Sequence, residues 1–354
     1  MDHLLRSPEL AALMSQQNAY PVSENSLGNG HSPLVSIIVV NYNGLDTLPA
    51  CLDSLAVQTY PATELLLIDN GSTDGSLELV RREFPEARIV ENSKNLGYSG
   101  AINRAAAQSR GAYITVLNMD VTVEPDWLET LVAFLEEHPR AGAANPQIRL
   151  ADEPETINAL GQNVHVTGLG FNRMLHYLAA EADREPRQVS GLQGAAFVIR
   201  RKLFIEIGGM NDANFMYHED VDLSWLIQLA GCDIYCVPES IIYHKYTLGM
   251  KPWKYYYLER NRWALLLCVY RLPTMLLLAP FFLLTEAMML AYCLRSGRSF
   301  FSAKLRAIGW NWQMKDHLRR RRAWIQGWRK RGDQDMLAIL RLNYDWDQLL
   351  QLAR

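Results

Sequence analysis

The stretch FMYHEDVDLSW, from Phe215 to Trp225, sets Glu219, Asp220 and Asp222 within four positions, beside His218. Neighbouring carboxylates repel one another, and a chain accommodates that where a cation, a helix N-terminus or a proton-transfer task compensates. The same letters also spell an acidic first helical turn followed by an apolar face of Leu223, Leu226, Ile227 and Ala230, closed by Gly231. The stretch alone does not choose between these readings, so the elements that would position it have to be read first.

From Leu34 onward, short apolar runs alternate with helical stretches. VSIIVV is followed by a helix from Leu45 to about Val57, ELLLID by a helix after Asp74, and ARIVE by a helix from Gly97; AYITVL then precedes a helix opened by EPDW. Nearly continuous apolar strands separated by helices predict a mostly parallel, Rossmann-like α/β sheet covered on both faces. Such a sheet places ligands at the carboxyl ends of its strands. Every segment that follows a strand is polar: NYNG (Asn41 to Gly44), DNGSTDGS (Asp69 to Ser76), ENSKNLGYSGAIN and NMD (Asn118 to Asp120). No GxGxxG follows the first strand and no GxxxxGK[ST] occurs, which argues against the dinucleotide and P-loop schemes. Residues from about Asn145 to Arg187 read as short strands and loops over the substrate side, and SGLQGAAFVIRRKLFIEIGG as a strand, a turn and a helix.

The chain of 354 residues, 49% hydrophobic, supports a catalytic-sized domain with appendages, and its formal net charge of -3 excludes a global attraction to polyanions. Five scattered cysteines without zinc spacing fit a reducing compartment. The N-terminus lacks the long h-region of a signal peptide and reads as a short amphipathic helix and a polar linker over residues 1–33, which predicts a chain kept on the cytosolic side.

VSIIVVNYNG, LLLIDNGSTDGS, NLGYSGAINRA, VLNMDV and FMYHEDVDLSW, in this order, resemble the family 2 glycosyltransferases, especially the rhamnosyltransferase-like branch that builds bacterial surface polysaccharides. The resemblance covers roughly Pro33 to Arg262 and places a glycosyltransferase domain over 34–262. It implies a GT-A fold and inverting transfer of a sugar, rhamnose or a similar hexose, from a nucleoside-diphosphate donor. On this reading Asn41 and Tyr42 line the base pocket, Asp69 holds the nucleobase or ribose, and Asn118 belongs to the same donor side. Gly97, at a helix start, and Asn103 approach the diphosphate or donor sugar, the alternative being an ordinary glycine-rich loop before a packed helix. Asp120 matches the last acid of the family's DXD and would reach Mg²⁺ or Mn²⁺. Asn118 stands where many relatives carry a second acid, so His244 is the candidate second ligand; otherwise it is a strand-end histidine with ordinary hydrogen bonds. Asp220 matches the general base, with Glu219 and Asp222 raising its proton affinity. Gln193, Gly194 and Asp222 fall on the acceptor side, and Arg260 and Arg262 near the diphosphate.

Residues 263–354 depart from soluble composition: Trp263 to Leu294 carries only Arg271 and Glu286 as formal charges. Thr274 to Leu294 approaches a spanning length, but the catalytic layer and the basic segment from Lys304 to Arg331 belong on one side, which requires zero crossings or two. The expectation is therefore helices lying in or dipping into the cytoplasmic face of the membrane, with LRRRRAWIQGWRKR attracted to an anionic leaflet rather than to nucleic acid. A buried helical hairpin or a homodimer interface is the competing account. The acceptor that follows from a membrane setting is a glycan or a polyprenyl-linked sugar. A non-catalytic, membrane-anchored sugar-nucleotide-binding partner would use the same pockets, and the reduced DXD keeps that reading open. A nucleotidyltransferase should show a basic glycine-rich loop after strand one, which NYNG is not.

Overall fold

The computed structural model describes residues 32–246 and 249–352, so the N-terminal helix and linker expected over 1–33 lie almost wholly outside the described residues. The first half alternates as expected. β1 (Val35–Asn41), α1 (Leu48–Ala56), β2 (Thr63–Asp69), α2 (Ser76–Glu83), β3 (Arg88–Glu91), α3 (Gly97–Gln108) and β4 (Tyr113–Asn118) lead into β5 (Val121–Val123) and α4 (Trp127–Glu137). A strand-rich stretch follows: β6 (Ala141–Leu150), β7 (Ile157–Ala159), β8 (Gln162–Val164), β9 (Gly170–Asn172), β10 (Arg187–Gln188) and β11 (Ala196–Arg200). Then come α5 (Arg201–Glu206), α6 (Glu219–Leu229), β12 (Asp233–His244) and a helical region, α7 (Pro252–Val269), α8 (Leu272–Leu277), α9 (Ala279–Ser296), α10 (Arg298–Gln313), α11 (Lys315–Trp328), α12 (Asp333–Ile339) and α13 (Trp346–Leu352).

Ten strands form one sheet in the order β10-β12-β6-β11-β4-β1-β2-β3, with β5 and β7 on its flank. Alternation along β1 assigns the two cores: Val35, Ile37 and Val39 face α1 and α4, whereas Ile38 and Val40 face α3, α6 and the C-terminal helices. The expectation of a mostly parallel sheet is corrected to a mixed one, because β11 runs antiparallel between β4 and β6. A strand buried on both faces carries no directional signal, so AFVIR reads alike either way. The reversal matters for the site. β1, β2 and β4 end together, with Asn41 opposite Asp69 and Val40 opposite Asn118, and antiparallel β11 starts at that same edge, Ala196 opposite Leu117.

The position chosen to end the catalytic domain, Arg262, falls inside α7, and the helices after it share the core of the sheet through Leu318, Ile325, Met336 and Leu340. The apolar run Thr274 to Leu294 is broken at Leu278, before Pro280, into α8 and α9. Among the described residues no helix is long and apolar enough to cross a membrane. The basic tail is only partly available to a surface. Arg321 is buried against Asp222, Arg322 donates to the carbonyls of Leu267 and Tyr270, and Arg329 donates to Val269 and pairs with Asp333. Trp324 and Trp328 pack on the core, so this part of the tail is bound inward instead of facing a leaflet.

Candidate active site

The acids that open α6 sit on a strained lead-in. Phe215, Tyr217 and His218 all have positive φ (61°, 63° and 69°), a conformation that bulky side chains adopt only when their surroundings over-determine it. The surroundings here are specific. Asn261 Nδ2 donates to the carbonyls of Asn214, Met216 and Tyr217, Arg260 donates to Ala213 and Asn214, and Tyr98 N donates to Phe215 O at 2.6 Å. Arg260 is further held by the rings of Tyr257 and Trp310, at 4.7 and 4.2 Å. The Arg260 guanidinium thus supports the turn that aims α6. Arg262 is likewise buried among Glu259, Glu286 and the Thr167 carbonyl, and makes no approach to the acids of α6.

A cavity of about 360 Å³ opens on the first turn of α6. Glu219 and Asp220 line it with Asn118, Gln193, Gly194, His244 and Lys254. Asp220 Oδ2 accepts from Gln162 Nε2 (2.7 Å) and Gly194 N (3.2 Å), and its Oδ1 from Val221 N (2.8 Å). Gly194 is fixed in turn by the Tyr98 hydroxyl, which donates to its carbonyl at 2.6 Å, and Gln193 by Asn145 and by Ala195 N. Glu219 differs, since its Oε2 is buried without a partner. Burial first, then the Asp220 charge, pushes Glu219 up to about 8 from 4.5, whereas burial raises Asp220 against the lowering effect of His218 and the three N–H donors. The proton is held on Glu219 at neutral pH, while the N–H donors to Asp220 favour that group's charged form.

Because Glu219 is protonated in the fold and ionised in the unfolded chain between pH 4.5 and about 8, stability falls as pH rises through that window. Glu219→Gln removes this dependence. Its melting temperature is expected to exceed that of the parent at pH 8 and above, with the difference shrinking as pH falls toward 4.5; scanning calorimetry across pH measures it.

Asp222 does not crowd Asp220. Residues two apart on a helix point away from each other, and Asp222 turns into the core, 1% exposed, where Arg321 donates to both of its oxygens (2.6 and 3.0 Å). This pair ties α6 to α11 and gives Asp222 a positioning role. Breaking a buried pair strands the remaining charge at a cost of about 3–5 kcal/mol. Arg321→Ala is expected to lose about that much stability in chemical denaturation, while a double replacement by apolar residues recovers most of it.

The second pair comes from β5 and β12, whose register sets His244 opposite Val121 and so beside Asp120. His244 Nε2 lies 3.6 Å from Asp120 Oδ1, an oxygen otherwise buried without a partner. His244 Nδ1 lies 3.0 Å from Asn158 Oδ1, a contact that orients the ring with Nε2 toward the carboxylate. An imidazole nitrogen and a carboxylate oxygen converging in this way offer two ligands of the kind a divalent cation takes. Among the described residues no group of three or more acidic, His or Cys side chains converges on such a site. A hard ion there would complete its shell from substrate phosphates and water, as Mg²⁺ commonly does.

The loops after β1 and β2 form a separate, tightly stitched unit. Asn41, wholly buried, donates to Asp69 Oδ1 (2.9 Å), Ser72 and Ser76, while Asp69 Oδ2 accepts from the backbone N–H of Gly71 and Ser72. Both side chains therefore shape the loop; Tyr42, 45% exposed, is the member of this group that faces outward. Asn103 is also a staple, with its amide committed to the backbone of Met210 and to Asp212. Gly97 has φ +75°, and a Cβ there would sit 2.3 Å from the Phe215 carbonyl, so its bare backbone serves the strained turn rather than an open phosphate cradle. Gln162, Tyr98, Asn158 and Lys254 escaped the sequence reading. Only Lys254 carried a signal, standing just before the aromatic run YYY in KPWKYYYLERNR.

Comparisons with known proteins identify the family and the fold. Residues 36–208 match the family described as glycosyl transferase family 2. The N-acetylglucosaminyl-diphospho-decaprenol L-rhamnosyltransferase of Mycobacterium tuberculosis is 30% identical over 243 residues, which span 62% of this chain and 79% of that one. A mannosyltransferase from Pyrobaculum calidifontis, solved with GDP-Man and Mn²⁺, covers 88% of this chain and 86% of its own at 19% identity and TM-score 0.51. GalNAc-T7, solved with UDP, GalNAc and Mn²⁺, covers 69% of this chain at 19% identity and TM-score 0.57, the match spanning 49% of that longer chain. These two structures share the α/β fold, the rhamnosyltransferase supplies the sequence kinship, and the chain belongs to glycosyl transferase family 2.

Proposed function

We propose that the chain transfers a hexose, rhamnose or a similar sugar, from a nucleoside-diphosphate donor to a lipid-linked glycan acceptor by a single inverting displacement. The observation that carries this reading is the convergence of two pairs with different chemistry: His244 with Asp120 behind it, and Asp220 with Glu219, on the cavity at the carboxyl edge of the sheet. Asp120 and His244 would hold Mg²⁺ or Mn²⁺, which when bound offsets the negative charge that develops on the departing diphosphate. Asp220 takes the proton of the attacking sugar hydroxyl, oriented by Gln162 and Gly194 so that one carboxylate oxygen keeps a fixed direction. Neutral Glu219 beside it adds no second negative charge to the site.

The acceptor reading is taken from the M. tuberculosis relative, whose name specifies a lipid diphosphate-linked sugar. It is supported by the outer side of α8 to α10, where Leu276, Leu277, Leu283, Leu284, Leu294, Leu305 and Ile308 are exposed. Exposed apolar patches on this scale mark interaction surfaces. The protein then works peripherally at the cytoplasmic face of a membrane and contributes to surface polysaccharide synthesis. Replacing Leu283 and Leu284 together by Ser is expected to lower co-flotation with vesicles at least several-fold while leaving nucleotide binding intact.

The test of the function is turnover of a panel of nucleotide sugars by the purified chain with Mn²⁺ or Mg²⁺ and an N-acetylglucosaminyl-diphospho-polyprenol acceptor. Transfer from one donor class supports the proposal. Nucleotide-sugar binding without transfer to any lipid-linked or soluble glycan would instead favour a non-catalytic partner.

A further inference from the structure

A second cavity, of about 410 Å³, adjoins the first and differs from it in character. Its walls are mostly apolar side chains from four elements: Leu258 on α7, Met288 and Met289 on α9, Leu349 and Leu350 on α13, and Phe171 of β9. The two charged groups of α7 that reach its surface, Glu259 and Arg262, are neutralised by each other and by Glu286 and Lys304. This volume lies within the range of small-molecule sites, most of which are apolar with few polar groups.

The position of this cavity decides what it could hold. Gly170, His218 and Leu258 line both cavities, so the apolar one continues directly from the space in front of Glu219 and Asp220. On α7 the order is explicit. Lys254, the one lysine or arginine lining the catalytic cavity among the described residues, precedes Leu258 by four positions on the same helical face, and Leu258 borders both spaces. At its other end the apolar cavity reaches the exposed Ala291 and Arg295 of α9, the helix that also carries the exposed Leu283, Leu284, Leu290 and Leu294. A polar reaction space, a cation, an apolar chamber and an apolar outer surface thus follow one another.

We infer that this second cavity takes the first isoprenoid units of the acceptor, with the acceptor's diphosphate at Lys254 and its sugar hydroxyl at Asp220. The inference rests on the lipid-linked-acceptor reading and adds to it a discrete subsite for the hydrocarbon within the protein, separate from any contact with a bilayer.

The test is equilibrium binding to the full chain in detergent-free buffer, using farnesyl diphosphate, isopentenyl diphosphate and a series of nucleoside diphosphates with Mn²⁺. The farnesyl compound is expected to bind at least tenfold more tightly than the isopentenyl one. Met289→Trp, which fills the chamber, is expected to erase that preference and leave nucleotide binding unchanged. Leu350→Asp, at a position 57% exposed and close to the C-terminus, provides a second variant should Met289→Trp disturb folding by circular dichroism. Equal binding of the two lipid diphosphates, or a preference that survives in the folded variants, overturns the subsite. Failure of every nucleoside diphosphate to bind would instead remove the glycosyl-transfer reading beneath it, so the two failures are told apart.

Discussion

Asp220→Asn is expected to lower kcat for sugar transfer by about 10²–10⁴-fold, the range spanned by a positioned general base, while nucleotide binding stays within error of the parent. The asymmetry of the acid pair argues for Asp220 over Glu219. Three N–H groups from Gln162, Gly194 and Val221 converge on Asp220, which stabilises and orients its charged form. Glu219 Oε2 has no donor, and the proton stays on Glu219 up to about pH 8. A group already protonated at neutral pH cannot accept the hydroxyl proton. Glu219→Gln should therefore keep much of the rate at pH 7 and differ most from the parent above pH 8, where the parent's Glu219 ionises. Single-turnover rates across pH for the two variants measure the contrast. A larger loss in Glu219→Gln than in Asp220→Asn would reverse the assignment.

The second large effect is expected at the Asp120–His244 pair. With two side chains, Asp120 and His244, converging there among the described residues, loss of either removes half of that set of ligands. Asp120→Ala is expected to lower kcat roughly 10²-fold or more, consistent with several kcal/mol of charge stabilisation from a Lewis acid. His244→Ala should weaken Mn²⁺ affinity and leave part of the rate recoverable at high Mn²⁺. Electron paramagnetic resonance of Mn²⁺ with nucleoside diphosphate present gives a readout independent of turnover. Asn158→Ala, which frees the His244 ring, should cost about 10–100-fold in metal affinity, the usual scale for a group that orients a ligand.

The parts of the molecule that were legible in sequence share a physical reason. β1, β2 and β4 combine apolar runs with alternating contacts to two cores, and their polar endings mark the carboxyl edge of the sheet at Asn41, Asp69 and Asn118, whereas Asp120, Asp220 and His244 were singled out by the family resemblance. What was not legible depends on partners distant in sequence. The Asp222 carboxylate reads like its neighbours in a linear string, and only helical geometry turns it to Arg321, 99 positions away. Arg260 and Arg262 look like phosphate ligands because they are basic and near the site, yet buried carbonyls and carboxylates claim them first. Residues 319–322 suggested a membrane-facing charge run, and burial of Arg321 with inward capping by Arg322 divides that run in two. The direction of β11 was hidden as well, since a doubly buried strand reads the same both ways, and that direction is what brings Gly194 to Asp220.

The central claim, a single displacement driven by Asp220 as base, is tested most directly by the anomeric configuration of the product. With the donor identified by the panel, ¹H and ¹³C couplings at the transferred sugar's anomeric centre are read before any rearrangement. Inversion relative to the donor is the result predicted by one base on one face of the reacting carbon. Retention would require a second displacement or a front-face mechanism, and would contradict the role given to Asp220.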